Sequence, residues 1–404
     1  MKGKIFFVFF LFLFASCQKG ENEDDSILKF FSKAYEDTGY SIAIGEDGYY
    51  ICGQMTDTLS GNPVRKPGIL KTGFDGNMSG EIKTFGSTEG AASKIITLSD
   101  GSVIAIGYVL DAASQKDIIV IHLKADLSLI DSRVYASAGN QYGVDILETQ
   151  EGFLLLATTD VKREPVGEVT GNAAGKKDIQ LMRIGKDLAP LTEIPAVGFI
   201  GNDEGVAVKA DLNGGFTVVG TTDRSDRPAS EQAGNNIILV RLNSVGSTTQ
   251  PRILGGTKNE AASDFEVLND GYLIVGTTGN AGTDQQGYIW KMPQDIYSTP
   301  EYEYEININS GSATKIPYSV KAMCRYKSSS FLLAGQYNTG LSARQLIFSI
   351  DAYGSLVENR IKITGGTGIQ TVNDVVTDQS GNIISIGSNS YENNSMICFL
   401  KFRF

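Results

Sequence analysis

Any chemistry in this chain has to be done almost without histidine. His122 is the only one, so a metal site with two imidazole ligands is excluded, and with it most transition-metal enzymes. It lies in the apolar run DIIVIHL (117–123), where a structural role is expected, and no Ser/His/Asp or Cys/His arrangement assembles around it. The chain also lacks a phosphate loop, a dinucleotide fingerprint and an HExxH motif. Carboxylate chemistry remains. Asp145, Asp264 and Asp374 occupy nearly equivalent places in a repeated pattern, at the start of strands expected to line a channel. Two acids at a channel mouth with pKa values pushed apart would suit glycoside hydrolysis, and the three together would suit Ca²⁺. The competing reading makes them repeat residues that bond nearby backbone N–H groups. No other cofactor is implied.

Carbohydrate grip usually shows as exposed aromatic platforms. Trp290, the single tryptophan, sits inside a strand pattern where core packing is expected. Tyr108, Tyr337 and Tyr391 follow apolar runs, just where the chain enters variable loops, and are candidate loop-face contacts. Besides Cys17, the cysteines are Cys52, Cys324 and Cys398. Their odd number and wide spacing form neither a disulfide framework nor a zinc pattern. Buried free thiols are expected, although a Cys52–Cys398 bridge is conceivable if both lie in neighbouring units.

The elements that position these residues are legible as a repeat. Seven segments share one rhythm: GYYICG (48–53), GSVIAIG (101–107), GFLLLA (152–157), GFTVVG (215–220), GYLIVG (271–276), a degenerate SFLLAG (330–335) and GNIISIG (381–387). They recur at roughly 50–60 residues, and each is followed by a loop and a second apolar run such as NIILVRL (236–242). Each unit therefore holds four strands, a to d, with a before the Gly turn, b running to the Gly, c after the variable loop and d leading onward. Such a sheet cannot cover both faces alone and must stack on its neighbours. The continuous apolar character of b and c fits strands covered on both sides.

The expected fold is all-β: a seven-bladed β-propeller of four-stranded blades over residues 27–404. The chain ends directly after the seventh c-strand, while Ile27–Tyr35 aligns with d-strands. The N-terminal strand should therefore complete the last blade and close the ring. Gln345–Asn389, with its apolar strand, Asp-x-x-Gly turn, Gly-Gly link and second Asp-x-x-Gly-Asn turn, resembles the bacterial seven-bladed β-propeller repeat. These motifs are structural, and the likeness implies a fold without implying a function. The loops after b vary most, with insertions at Met55–Pro67, Val161–Lys177 and Arg224–Asn235, and variable loops on a rigid scaffold are where recognition sits.

The first residues carry an address. Lys2 and Lys4 precede the apolar run Ile5–Phe14, then Ala15, Ser16 and Cys17, in the layout of a secretory signal. A spanning helix needs about 20 apolar residues, and this run has about half of that. Phe-Ala-Ser-Cys resembles a lipobox, with Phe14 in place of the usual Leu, which implies cleavage after residue 16 and a lipid on Cys17. Residues 17–26 form an acidic tether that resembles the surface-export signal of Bacteroidetes lipoproteins and implies an outer-membrane anchor facing the cell exterior. Asp25-Ser26-Ile27 and Asp57-Thr58-Leu59 match the tripeptide that these bacteria O-glycosylate, which makes Ser26 and Thr58 candidate sites.

Loss of Lys2 and Lys4 moves the formal charge from −11 to about −13, which argues against nucleic acid as a partner. The resulting expectation is a lipid-anchored, non-catalytic binding or scaffold module. Its loop face, built by the b–c and d–a loops, would meet a protein or a glycan, in the manner of accessory components of outer-membrane uptake or secretion complexes. The alternatives are a carboxylate-dependent polysaccharide enzyme at the channel mouth, and an outer-membrane assembly factor on the inner leaflet.

Overall fold

The computed structural model describes residues 26–404 apart from 34–35, 59–61, 161–175, 200, 224–233, 245, 257, 281–283, 309–315, 328, 339–341, 366–367 and 393. Cys17, the signal and all of the tether but Ser26 lie outside the described residues, as do most of the loops after Val161 and Arg224. All regular elements among the described residues are β-strands.

β1 (Ile27–Phe31) stands first. A four-stranded sheet follows: β2 (Thr38–Ile44), β3 (Gly48–Asp57), β4 (Val64–Gly73) and β5 (Lys83–Thr84). The second is β6 (Gly90–Thr97), β7 (Val103–Leu110), β8 (Lys116–Leu123) and β9 (Leu129–Tyr135). The third is β10 (Gln141–Glu148), β11 (Gly152–Thr159), β12 (Asp178–Gly185) and β13 (Pro190–Val197). The fourth is β14 (Asp203–Ala210), β15 (Phe216–Thr222), β16 (Asn236–Leu242) and β17 (Arg252–Leu254). The fifth is β18 (Glu260–Leu268), β19 (Gly271–Thr278), β20 (Gln286–Pro293) and β21 (Tyr302–Glu305). The remaining strands join in one nine-stranded sheet. One part is the meander β22 (Tyr318–Tyr326), β23 (Ser330–Asn338), β24 (Ala343–Asp351) and β25 (Leu356–Thr364). The other is β27 (Asp374–Thr377), β28 (Ile383–Tyr391) and β29 (Asn394–Phe402), with β1 antiparallel to β29. Two-residue β26 (Ile369–Gln370) stitches the parts together.

The second strand of each unit is buried along nearly its whole length, as in β11, where all eight residues are inaccessible. This follows from where the core lies. Each of the seven apolar clusters is shared between two successive units and not enclosed within one of them. Ile51 and Leu70 of the first sheet, for example, pack with Ile384, Ile397 and Phe399 of the last meander. Both faces of a b or c strand therefore need apolar residues, and removing a neighbour would expose a full sheet face. Trp290 is fully buried in one such cluster, as expected. Cys52 and Cys398 are buried free thiols and Cys324 is a partly buried one.

One expected insertion contracts. The β3–β4 hairpin keeps pairing out to Asp57 and Val64, and Lys66 bonds Asp57 at 2.9 Å beneath its tip. The loop after Met55 is thus residues 58–63. Its register is fixed by the continuing ladder.

Candidate functional site

The innermost strands β2, β6, β10, β14, β18, β22 and β27 together line a central cavity of about 520 Å³. A shift of register marks six of these strands, between Gly39/Ser41, Ala92/Lys94, Gly143/Asp145, Gly205/Ala207, Ala262/Asp264 and Val320/Ala322. Bulges re-aim side chains. Here each brings one residue opposite the position just before the b-strand's small residue. Asp374 holds the same register against Ile386 at the start of β27. Ser41, Lys94, Asp145, Ala207, Asp264, Ala322 and Asp374 are therefore equivalent.

The three candidate acids are accordingly not at matching strand starts. Asp145 and Asp264 lie in mid-strand, because β10 and β18 begin pairing earlier than their apolar pattern suggests. All three acids make the same two-sided connection. Asp145 accepts the N–H of Ile146 at 2.9 Å through one oxygen and that of Val208, on β14, at 2.9 Å through the other. Asp264 accepts from Phe265 at 2.7 Å and from Met323, on β22, at 3.1 Å. Asp374 accepts from Val375 at 2.9 Å and Ile42, on β2, at 3.2 Å, and it takes the Ser41 hydroxyl at 2.6 Å. In each case the partner strand carries a small residue (Ala207, Ala322 or Ser41) at the equivalent position, which leaves room for the carboxylate to reach across. The repeat-residue reading thus accounts for all three acids.

Two lysines accompany them. Lys94 Nζ lies 3.2 Å from Asp374, and Lys209 Nζ lies 2.9 Å from Glu266 and 3.6 Å from Asp264. Burial works against the Lys94 charge, but the fields of Asp374, Asp145 and Asp264 outweigh it and hold its pKa above the usual value. Burial raises the Asp145 pKa, opposed by Lys94 and by the N–H groups of Val208 and Ile146. Among the described residues no group of three His, Cys, Asp or Glu side chains is placed to hold a metal ion. The acids arrive at the cavity separately, each tied to its own pair of strands, so the Ca²⁺ reading gains no ligand set there.

His122 has Ser102 and Asp100 beside it. Ser102 Oγ is 2.9 Å from the imidazole Nε2 and 2.5 Å from Asp100 Oδ1. Asp100 therefore orients the serine and not the imidazole, the reverse of a catalytic triad. Desolvation lowers the His122 pKa, against the Asp100 and Asp131 charges. Its contact is to a side chain of the β6–β7 turn and not to the cavity.

The tyrosines diverge from their expected sites. Tyr108 and Tyr337 lie inside β7 and β23, paired with Ile118 and Arg344, because these ladders run past the glycine that ends the apolar run. Lys116 Nζ stands 4.3 Å from the Tyr108 ring centre. Tyr391 ends β28 and is 52% exposed, the only one of the three freely available to a partner. Ser26 is partly exposed beside β1, and Thr58 is exposed beyond β3.

Sequence reasoning did not find the buried pair Asp178 and Asp203, at the boundary between the third and fourth sheets. Both converge on Gly198, where an added Cβ would lie 2.2 Å from Asp178 Oδ1 and 2.7 Å from Asp203 Oδ2. Desolvation raises Asp178 to about 6. It raises Asp203 to about 7, with the Asp178 and Asp223 charges adding to it. The signal was available in the repeat: equivalent register positions hold Asp117 with Gln141 and Asn236 with Glu260, one acid each. Gly198→Ala should lower the unfolding midpoint, since Asp203 Oδ2 accepts the Phe199 N–H at 2.6 Å and would have to give that bond up to make room. Gly80→Ala, where nothing lies within 4 Å of the added carbon, should show only the smaller cost of its positive φ. Thermal unfolding of the two variants is the check.

No family model and no curated protein matches this chain. Several solved structures do resemble it. Raptor from Chaetomium thermophilum is 9% identical with a TM-score of 0.55, over 92% of this chain and 28% of that one. A puromycin hydrolase is 10% identical with a TM-score of 0.53, over 89% of this chain and 52% of that one. The β-propeller domain of the Trilobed protease from Pyrococcus furiosus is 10% identical with a TM-score of 0.51, over 90% of this chain and 95% of that one. This chain thus spans about a quarter of Raptor, half of the hydrolase and nearly all of the isolated propeller domain. At such identities the likeness defines the class by fold alone: an all-β protein of propeller type.

Proposed function

We propose that the chain is a seven-bladed propeller closed by its N-terminal strand, held at a membrane by lipid on Cys17, and that it works as a non-catalytic binding or scaffold module. Pairing of β1 with β29 and the reach of Asp374 to Ser41 and Ile42 support the closed ring. One observation favours binding over hydrolysis: every candidate acid spends both carboxylate oxygens on backbone N–H groups of two adjacent strands. A general acid or nucleophile needs at least one oxygen aimed at substrate.

The partner is a protein or a glycan met at the b–c and d–a loops, where Tyr391 is exposed. The cell exterior is the proposed address, and the lipobox-like Phe14–Cys17 and the acidic tether support it. Affinity purification of the lipoprotein from detergent-solubilised outer membrane tests this reading. A stoichiometric membrane partner, or retention on polysaccharide without turnover, is the expected result. Turnover of a glycan panel that is abolished by Asp264→Asn with Asp145→Asn, in a folded protein, would reverse it. Protease shaving of intact cells should clip the domain, whereas protection would place it on the inner leaflet.

A further inference from the structure

β1 is an outer strand with an unusual surface. Its Ile27 and Phe31 face inward and pack in the cluster with Tyr49 and Phe399. Strand alternation turns Leu28 and Phe30 the other way, and they are 45% and 41% exposed. The turn after β4 abuts the start of β1, since an added Cβ at Gly76 would lie 3.2 Å from Ile27. That turn exposes Phe74 and Met78 at 41% and 46%. On the other flank β25 carries Arg360 and Lys362, whose Nζ stands 4.6 Å from the Phe402 ring centre. Lys29 and Lys33 belong to the β1 segment itself. The edge thus presents large apolar side chains on both flanks of β1, Leu28 and Phe30 on one and Phe74 and Met78 on the Ile27 side, among these cations and the single acid Asp75 of the turn.

We infer that the edge around Leu28, Phe30, Phe74 and Met78 is the face that rests on the lipid bilayer. The inference rests on the reading of Cys17 as the lipidated residue. Nine residues (18–26) separate that cysteine from β1. An apolar surface this close to an inserted lipid meets the interface at high effective concentration. Apolar side chains that dip into the headgroup–acyl boundary, flanked by Lys and Arg at the headgroups, form the usual interfacial composition. The geometry also orients the molecule. Ile27 pairs with Lys401 near the end of β29, at the same end as the Phe74–Met78 turn. The far ends of the b and c strands, where Asp57 pairs with Val64 and Thr159 with Asp178, lie at the opposite end.

Phe30→Trp in the full lipidated protein, bound to vesicles of dibrominated phosphatidylcholine containing some phosphatidylglycerol, provides the test. Trp290, fully buried, supplies an unquenched internal reference and reports that the fold is intact. The introduced indole should lose on the order of half its emission, as expected for a side chain about 5–10 Å into the boundary. Leu191→Trp, at a 51% exposed position on β13, should keep its emission. Co-flotation with vesicles but no quenching at residue 30, or equal quenching at residue 191, overturns the docking face and leaves the anchor standing. Failure to float with vesicles overturns the anchor and the face with it.

Discussion

Asp374→Ala should destabilise the protein by about 3–5 kcal/mol, the range expected when a buried, multiply bonded carboxylate is deleted and its donors stay behind. Four groups lose their acceptor: the Ser41 hydroxyl, the N–H groups of Ile42 and Val375, and the Lys94 ammonium at 3.2 Å. Two of them belong to the first sheet, so the loss falls on the junction between the ends of the chain. Urea unfolding should show a lower midpoint, with susceptibility to proteolysis rising in β1 and β29. Asp145→Ala and Asp264→Ala, with two donors each, should cost less. A catalytic acid would behave in the opposite way, with activity lost and stability kept. The ranking of the three variants by number of donors is therefore what the measurement has to reproduce.

Asp203→Asn should make the protein more stable at pH 8 and should flatten its pH dependence. Asp203 titrates at about 7 in the folded chain and Asp178 at about 6, against an ordinary aspartate pKa of about 3.9 when unfolded. Between those values the folded state binds more protons than the unfolded state. Stability therefore falls as pH rises from about 4 through 7. A displacement of some three pH units corresponds to a penalty on the order of 4 kcal/mol above pH 7. Melting curves at pH 5 and pH 8 should show the wild type melting higher at pH 5, with the gap much reduced in the variant. The neighbouring boundary already holds an amide in its pair, Asn236 with Glu260, around Gly255. An equal melting point for wild type at both pH values would remove the argument.

The architecture was readable from the sequence because it is written once per unit. A b-strand such as GYLIVG has to be apolar on both faces, and that constraint survives in every copy, even where SFLLAG loses its glycine. The pairing of β1 with β29 could be read from counting, since the last unit is one strand short. Side-chain placement was less legible. Tyr108 and Tyr337 appeared to enter loops because the apolar pattern stops at the glycine, whereas backbone pairing continues for three residues beyond it. Asp145 and Asp264 appeared to start strands for the same reason. Their true register depends on a bulge, which leaves no mark in hydrophobic periodicity. Asp178 and Asp203 stand 25 positions apart and looked like ordinary polar flanks. Only the backbone shows that both turn toward one glycine.

The carboxylate bonds around the cavity also have an arithmetic of their own. Each acid accepts backbone N–H groups only from its own strand and the strand that follows it, so these bonds join the inner strands in couples: β10 with β14, β18 with β22, β27 with β2. An odd number of strands cannot be tiled by couples, and β6 is the one left single. It carries Lys94, the cation that answers the leftover negative charge of all three acids. The joint between the two ends of the chain, 333 positions apart in sequence, falls inside a couple. Ion pairs take over at other places: Lys94 of β6 reaches Asp374, and Lys209 of β14 reaches Glu266 of β18. A circular permutation that opened the chain before β18 and fused its present ends would divide no couple, whereas one opened before β14 would cut through Asp145 and its partner.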